Sequence, residues 1–388
     1  MPSKRVRLAQ FRRAVGLSQE GLAHVLGVER STVGRWESAE TDPQPWVRPK
    51  LAQALKIAPS DLQTLLEDVV FVGRKPDERM TYLLEHPASA DLVAVGHLRE
   101  RIHQLDKSYD EVPSAALLGP AGQVHGQVSY LREHARDSHV RRVLLGVESE
   151  SAIFMGQVIW DASQRRDQAG PYAHFDEAIQ AARQIRDPAG EAYATLRKSY
   201  IALYGEKNAG KGVDLAEQSA ALASVHSPSL AGLSLLHAAE GHAMRGNVKD
   251  CESALLNAET QLDRVDECDV AAGSYTVDEF NRLAGSCYLF LGQPDRAEPV
   301  LRDTVSAHSG KTKRQAIALS NLTLSLVRQR KLDEASATMH KAIDAVERTR
   351  GGAGLNLVFS AGRELRRWRN EPWVHDIDDR LIALMASV

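Results

Sequence analysis

The stretch LSQEGLAHVLGVERSTVGRWE, residues 17–37, decides the fold at the start of this 388-residue chain. Its apolar residues recur every three or four positions on both sides of Gly27, as expected for two helices that each bury one face. Ser18 is a typical helix N-cap residue and Gly27 a typical C-cap residue, so the first helix begins and ends within the stretch. Two short helices joined at a glycine predict a helix-turn-helix unit. The inward positions are Leu22, Ala23 and Leu26 in the first helix and Val33 and Trp36 in the second.

Helical periodicity continues on both sides of this unit. One helix runs from about Lys4 to Val15 and stops at Gly16. Two more follow a proline-marked loop, from Val47 to Lys56 and from Ser60 onward. The sequence therefore predicts a domain of five short helices over residues 1–70.

Residue type and spacing over roughly residues 5–67 resemble those of the XRE/Cro-type phage repressor family. The resemblance is carried by Leu17–Glu20, Leu22–Ala23, Leu26–Val28, Ser31–Val33 and Trp36–Glu37, and Leu51–Leu55 extends it. It implies that the second helix of the unit enters the major groove of double-stranded DNA. A five-helix bundle without DNA affinity is the alternative.

The resemblance also places candidate DNA contacts. It implies that Gln19 bonds a phosphate through its amide. Arg30 and Arg35 are candidate base readers, because a guanidinium reaches guanine O6 and N7 together; for Arg35 a phosphate contact is the alternative. Ser31 and Thr32 suit either a base or a phosphate.

Other residues of this domain have different expected roles. Arg12 and Glu37 match a pair that forms an internal salt bridge in the family, so we expect a structural role for them. Lys4, Arg5 and Arg7 are expected to contact phosphates without reading sequence. Gly34 stands where the family usually has a larger polar residue, which puts one contact in doubt.

Charge is distributed unevenly along the chain. Residues 1–60 hold ten lysine and arginine residues against five acidic residues, a balance of +5, whereas the rest carries −8 within the overall −3. A basic lobe on an acidic body indicates a polyanion partner for that lobe. Charge alone is equally consistent with a solvated helix face.

Residues 71–145 are predicted to be a helical linker. A stripe of apolar residues suits either a coiled-coil seam between two subunits of a homodimer or ordinary packing on neighbouring helices. A second break in helical structure is expected at Pro113, Gly119, Pro120 and Gly122. The stripe consists of Leu92, Val95, Leu98, Ile102 and Leu105.

Residues 146–388 contain helix after helix, and one pattern recurs. A turn residue is followed five positions later by a small residue, where a second helix must approach the first closely. The recurrences are Gly246 with Cys251, Gly292 with Ala297, and Arg330 with Ala335. Their spacings of 46 and 38 residues lie near the roughly 34 of a tetratricopeptide (TPR) repeat.

Looser copies of the pattern end at Phe175–Ala178 and lie around Tyr200–Ala216. With them we count about five helix pairs, plus a terminal pair from Gly354 onward, and the segment resembles TPR units. The chain is thus predicted to be all-α: a five-helix helix-turn-helix DNA-binding domain followed by a TPR-like α-solenoid.

The concave face of such a solenoid is a candidate effector site. Aligned on the small residue, Asn321 falls where TPR repeats often carry an asparagine that grips a peptide backbone, and His237 falls at the same place in an earlier pair. The candidate ligand-binding residues are His237, Glu240, Arg282, Asn321 and Arg328. Each is also consistent with an ordinary polar surface residue, and helices around Trp368 and Trp373 are an alternative filling for the groove.

The segment Met155–Asp167 packs an aromatic residue, two acidic residues and two arginines into little more than three helical turns. It resembles a segment recurrent in helix-turn-helix/TPR regulators of high-GC Gram-positive bacteria, and RRNPP-type quorum receptors share that architecture. The resemblance implies a homodimeric regulator of transcription whose effector is a peptide, a small molecule or a protein.

Other function classes find little support. No zinc-protease, nucleophile-elbow or phosphate-loop motif occurs, so we expect neither enzymatic activity nor a cofactor. The spacing of Cys251, Cys268 and Cys287 indicates reduced core thiols, not a metal site. No run approaches about 20 apolar residues and no secretory segment is recognisable, so a cytoplasmic protein is expected. A scaffold that uses the helix-turn-helix only for assembly is the alternative function.

Overall fold

A computed structural model describes residues 8–9, 11–12, 15, 17–37, 41, 43–44, 47–55, 57, 62, 78–265, 269, 271–307 and 312–386. Contacts divide the chain into two compact units, Met1–Glu85 and His86–Val388. Every regular element among the described residues is helical.

The first unit contains α1 (Gln19–Leu26), α2 (Arg30–Glu37), α3 (Arg48–Leu55) and α4 (Glu78–Glu85). The Ser18 hydroxyl accepts the Gly21 N–H at 2.9 Å and caps α1, and Gly27 ends the helix with a φ of 67°. Left-handed φ values favour glycine, so this turn depends on the absence of a Cβ. The predicted inward residues of both helices are buried in one core with Leu8 and Leu51. Parts of the first and fifth predicted helices lie outside the described residues.

The second unit consists of stacked antiparallel helices. They are α5 (Leu92–Ser108), α6 (Ser114–His134), α7 (Ser138–Ala162), α8 (Ala169–Ile185), α9 (Pro188–Tyr200), α10 (Ala209–Ala223), α11 (Pro228–Met244), α12 (Val248–Leu262), α13 (Val277–Phe290), α14 (Pro294–Ala307), α15 (Lys313–Arg328), α16 (Leu332–Thr349), α17 (Gly352–Leu365) and α18 (Pro372–Ala386). A π-helical turn, Ile201–Gly205, extends α9, and short 3₁₀ turns cover Pro87–Ser89, Ala272–Ser274 and Arg366–Trp368.

The helices from α7 onward form the five predicted pairs and the terminal pair. Gly246 and Gly292 turn the chain between paired helices with φ values of 74° and 71°, and Arg330 does so with a φ of 61°. The small residues that follow are fully buried at Cys251, Ala297 and Ala335. The five-residue spacing between the turn residue and the small residue therefore predicted the helix hairpins correctly, even where an arginine replaces the turn glycine.

The linker segment from His86 onward packs on these repeats. Val95, Leu98 and Ile102 of the apolar stripe are buried, and α5 packs against α6 and α7. The middle of the stripe thus packs on neighbouring helices, whereas Leu92 at its start is 49% exposed and Leu105 at its end is half-buried. The predicted break at Pro120 is wrong, because α6 runs through it. Proline removes one backbone donor, and the rest of this helix is long enough to tolerate that loss.

A buried ion pair joins the beginning and the end of the repeat array. The Lys313 ammonium on α15 lies 3.0 Å from Asp161 Oδ2 at the end of α7, with 6% and 4% of the two side chains exposed. Asp161 Oδ1 accepts the Gly352 N–H at 2.8 Å, at the start of α17. Helices far apart in sequence are thereby held together, and the array curls around its concave side.

By length and composition α7, Ser138–Ala162, is apolar enough to cross a membrane, but 72% of its apolar window is buried inside this unit. The core helix of a folded unit passes the same test, and α7 contacts both neighbouring hairpins.

Candidate functional site

The exposed face of α2 carries the predicted DNA contacts. Arg30, Ser31 and Arg35 are exposed and Thr32 is half-buried. The Arg35 guanidinium donates to Thr32 Oγ1 at 3.4 Å, and the Ser31 hydroxyl donates to Glu29 at 3.1 Å. Two arginines and two hydroxyls therefore project from one short helix whose opposite face is buried.

A buried network holds this helix against the bundle. Arg12 Nε donates to Glu37 Oε1 at 2.6 Å, with 6% and 10% of the side chains exposed, which confirms the predicted ion pair. A second Arg12 nitrogen donates to the Leu17 carbonyl at 2.6 Å. Gln19 Nε2 donates to Glu37 Oε2 at 2.7 Å. The sequence did not indicate this last bond, which ties the candidate phosphate contact to the ion pair.

The three basic residues Lys4, Arg5 and Arg7 lie outside the described residues. Their expected phosphate contacts stay predictions.

The second unit encloses a large cavity on its concave side. Its volume is about 2190 Å³, and its wall is formed mainly by the first helix of each pair, α7, α9, α11, α13, α15 and α17. The five residues predicted for an effector site all line it: His237, Glu240, Arg282, Asn321 and Arg328. The repeat alignment therefore grouped five residues that lie around one cavity in the structure.

Two of the five belong to one buried hydrogen-bonded network. The Tyr204 phenol donates to Glu240 and accepts from His237 Nδ1 at 2.7 Å, and the Ser286 hydroxyl donates to Glu240 at 2.5 Å. Burial lowers the pKa of His237 below its ordinary value. Burial raises the pKa of Glu240, but hydrogen bonds from its neighbours outweigh burial and lower it overall. Burial therefore disfavours the protonated, cationic form of His237.

Two others are paired within the wall. The Arg282 guanidinium lies 2.5 Å from the Glu279 carboxylate, and both side chains are largely buried, with 14% of Arg282 and 15% of Glu279 exposed. Arg328 lies 2.8 Å from Glu364 and donates to the Leu289 carbonyl at 2.7 Å. These side chains shape the cavity while engaged with protein partners.

Asn321 differs from the other four. It is 4% exposed and lines the cavity. Among the described residues its side chain takes part in none of the hydrogen bonds of this wall. A buried amide normally has partners, and the Asn321 amide leaves its donors and its acceptor open toward the cavity.

A cluster of aromatic and arginine side chains, absent from the predicted set, lies in the same cavity. The Arg197 guanidinium lies 4.8 Å from the Tyr193 ring centre and 5.3 Å from that of Tyr200. Arg165 lies 4.4 Å from the ring centre of Trp160. The Nε atoms of both arginines are buried without a hydrogen-bond partner among the described residues. The segment Met155–Asp167, which contains Arg165 and Trp160, stands out in the sequence by its composition. Nothing in the sequence singles out Arg197.

The cavity is more basic than the unit that contains it. Its lining includes twelve lysine and arginine residues against nine acidic ones, although the whole unit, residues 86–388, holds 35 basic and 40 acidic residues, a balance of −5. The electrostatics of the wall therefore favour a ligand with negative charge.

Comparisons with known proteins agree with the helix-turn-helix at the N-terminus. Residues 5–65 match the family described as helix-turn-helix domain. The chain is similar to the crystal structure of Bacillus thuringiensis PlcR in complex with the peptide PapR7 and DNA, at 12% identity over 85% of this chain and 98% of that one, with a TM-score of 0.31. It is also similar to the structure of a PrgX mutant, at 10% identity over 84% of this chain and 95% of that one, with a TM-score of 0.28. No curated protein sequence matches it.

Proposed function

Because residues 5–65 are a helix-turn-helix domain, we propose that the protein is a sequence-specific DNA-binding regulator of transcription. It acts as a homodimer in the cytoplasm, and its helical-repeat unit binds an effector that changes its affinity for DNA. The observation that carries the proposal is the exposed face of α2, held rigidly by the buried pair of Arg12 and Glu37. Pre-organised side chains lose less conformational entropy on binding than mobile ones.

Each residue of this surface has a proposed role. Arg30 and Arg35 read bases in the major groove, and Ser31 and Thr32 contact bases or phosphates beside them. Gln19 bonds a phosphate through the amide hydrogen that its hydrogen bond to Glu37 leaves available. Lys4, Arg5 and Arg7 add phosphate contacts that carry no sequence information.

A homodimer follows from the small footprint of a single recognition helix. Two-fold proteins match palindromic half-sites about 34–36 Å apart, which doubles the number of base pairs that are read. The interface lies elsewhere than the buried residues Val95, Leu98 and Ile102 of α5. Sedimentation in the presence of operator DNA tests this, and a single protomer on a full operator would contradict it.

The cavity supports an effector larger than a metabolite. Its 2190 Å³ exceeds the roughly 300–1,000 Å³ of ordinary small-molecule sites. Asn321 offers a donor and an acceptor to a peptide-like group, and the positive charge of Arg165 and Arg197, which line the cavity, suits a carboxylate or phosphate. The effector we propose is therefore an anionic, peptide-sized ligand.

DNA binding is tested with fluorescently labelled genomic fragments from around the protein's own gene. Arg30→Ala and Arg35→Ala should each weaken the best site by about 1–3 kcal/mol and relax preference at one base pair. Arg141→Ala, which removes an exposed arginine from α7, is the matched control and should bind normally. Affinity should fall steeply with salt, because phosphate contacts release counterions. Wild-type protein that binds no fragment, or binds independently of salt, would refute the proposal.

The effector is tested by adding the low-molecular-mass fraction of cells from the native host to the same assay. Asn321→Ala should blunt any change in DNA affinity while leaving DNA binding itself intact. Asn257→Ala, on the exposed face of α12, is the control. A tenfold change in affinity requires about 1.4 kcal/mol of preference for one state of the protein. An undiminished response of Asn321→Ala would place the effector elsewhere.

A further inference from the structure

Three polar side chains that the proposed function does not use meet between α6 and α8. They are His125 on α6 and His174 and Glu177, one turn apart, on α8. In the described part of the chain they form the one group of three histidine, cysteine or acidic residues whose ligand atoms all lie within 4.8 Å of one another. The three side chains are 14%, 24% and 37% exposed, and they lie apart from the cavity lining.

His125 contacts Ser151 with one ring nitrogen and Glu177 with the other. The Ser151 hydroxyl, on α7 between the two helices, donates its one proton to the Glu148 carbonyl at 3.0 Å. Its oxygen lies 2.9 Å from His125 Nδ1 and accepts from it in the tautomer that carries the hydrogen on Nδ1. In that tautomer Nε2 carries the lone pair with which a neutral imidazole binds a metal ion.

That lone pair faces a carboxylate. His125 Nε2 lies 3.4 Å from Glu177 Oε1, a separation that suits either a hydrogen bond from the imidazole or a metal ion bound by both atoms. His174 Nδ1 approaches the other carboxylate oxygen at 3.3 Å. The two rings meet edge to face, with centres 5.2 Å apart, so both present ring edges to the same small space.

The spacing of these atoms suits a transition metal. Zinc binds histidine nitrogen at about 2.0–2.1 Å and carboxylate oxygen at about 2.0–2.2 Å, usually with tetrahedral geometry. The edge of such a tetrahedron is about 3.3–3.4 Å, and the two nitrogen–oxygen separations are 3.4 and 3.3 Å. A zinc-ligating histidine usually donates through its second nitrogen to a carboxylate, a backbone carbonyl or water, and Ser151 Oγ occupies the corresponding place beside His125 Nδ1.

We propose that His125, His174 and Glu177 bind one divalent transition-metal ion of the zinc class. Partial exposure leaves room for water at a fourth coordination position. The ion would join α6 to α8 across α7, and so fasten the linker helices to the first repeat. This site does not depend on the proposed regulatory function.

The test is a titration of the full chain, stripped of metal by a chelator, with ZnCl₂ against a chromophoric zinc indicator. Wild type should bind one Zn²⁺ per chain, and its melting temperature should rise with Zn²⁺ concentration by mass action. His174→Ala and Glu177→Gln should each lower affinity by more than about 100-fold, and Ser151→Ala by about 10–100-fold, because loss of an outer-shell partner has that effect.

His134→Ala is the matched control, since it removes an exposed histidine from the same helix as His125. It should bind zinc as wild type does. Glu177→Gln retains the shape and hydrogen-bonding capacity of the side chain, so it keeps the test valid if His174→Ala fails to fold, and circular dichroism checks both. Co²⁺ bound at the site should show the visible bands of a tetrahedral ion without a thiolate charge-transfer band. Absence of stoichiometric binding, or binding unchanged in Glu177→Gln, would overturn the proposal.

Discussion

The buried pair of Lys313 and Asp161 should be one of the strongest single attachments of the repeat unit. The three ammonium hydrogens have three neighbours: Asp161 Oδ2 at 3.0 Å, Ser114 Oγ at 2.6 Å and the Tyr109 ring centre at 3.7 Å. Replacing Lys313 by methionine keeps most of the volume and removes all three interactions. It leaves a carboxylate that is 4% exposed without a counter-ion.

Breaking a buried pair by removing one partner costs about 3–5 kcal/mol. Asp161 keeps hydrogen bonds from Ser114 and the Gly352 backbone at 2.7 and 2.8 Å, which moderates the penalty. We therefore expect Lys313→Met to lower the free energy of unfolding by about 3 kcal/mol, at the lower end of that range. Urea unfolding of the full chain, followed by circular dichroism, measures the change from the transition midpoint.

Two further variants distinguish a stranded charge from lost packing. Asp161→Asn combined with Lys313→Met should recover at least half of the loss, because no charge is then left unpaired. Lys331→Met, whose side chain is 42% exposed and lies 2.6 Å from Glu298, should cost less than about 1 kcal/mol. The reasoning is refuted if Lys313→Met also costs less than about 1 kcal/mol, or if the double variant is as unstable as the single one.

Three other predictions concern stability. Gly285→Ala should lower the free energy of unfolding by about 1–3 kcal/mol, because the new Cβ would lie 2.6 Å from a leucine side chain of α14. Gly126→Ala places its Cβ in open space and should raise the free energy of unfolding by about 0.5–1 kcal/mol in the same urea experiment. The pKa of the Glu279 carboxyl is about 2, because the Arg282 guanidinium outweighs the burial that raises it. This folded value lies below the ordinary 4.5, so about 3 kcal/mol of stability that is present above pH 4.5 should be lost as the pH falls toward 2. In acid titrations, the stability of Glu279→Gln should depend less on pH over this range. Ser18→Ala should cost about 0.5–2 kcal/mol in thermal unfolding of the first unit, and an unchanged midpoint would show that the cap of α1 is dispensable.

The sequence by itself determined the helices and their pairing. Ser18, Gly27 and the apolar residues between them are local signals, because a cap and a buried face are specified within one or two helical turns. The same holds for Gly246 and Cys251, whose spacing reports one hairpin wherever that hairpin lies in the array. The signal failed at Pro120, where a long helix tolerates a residue that usually ends one. Local rules give a preference, and packing against α5 and α7 decided the outcome.

Tertiary structure alone decided which of these helices meet and what their side chains do there. Lys313 reaches Asp161 because small rotations between successive pairs accumulate until the array curls on itself, and no short stretch encodes that sum. For the same reason the sequence predicted that His237 faces the groove but did not predict its hydrogen bond to Tyr204. It also did not indicate that Arg197 lies among tyrosines. His125 lies on a different helix from His174 and Glu177, so only packing brings those three side chains within bonding distance. Helices are specified by neighbours in sequence, whereas sites are specified by neighbours in space.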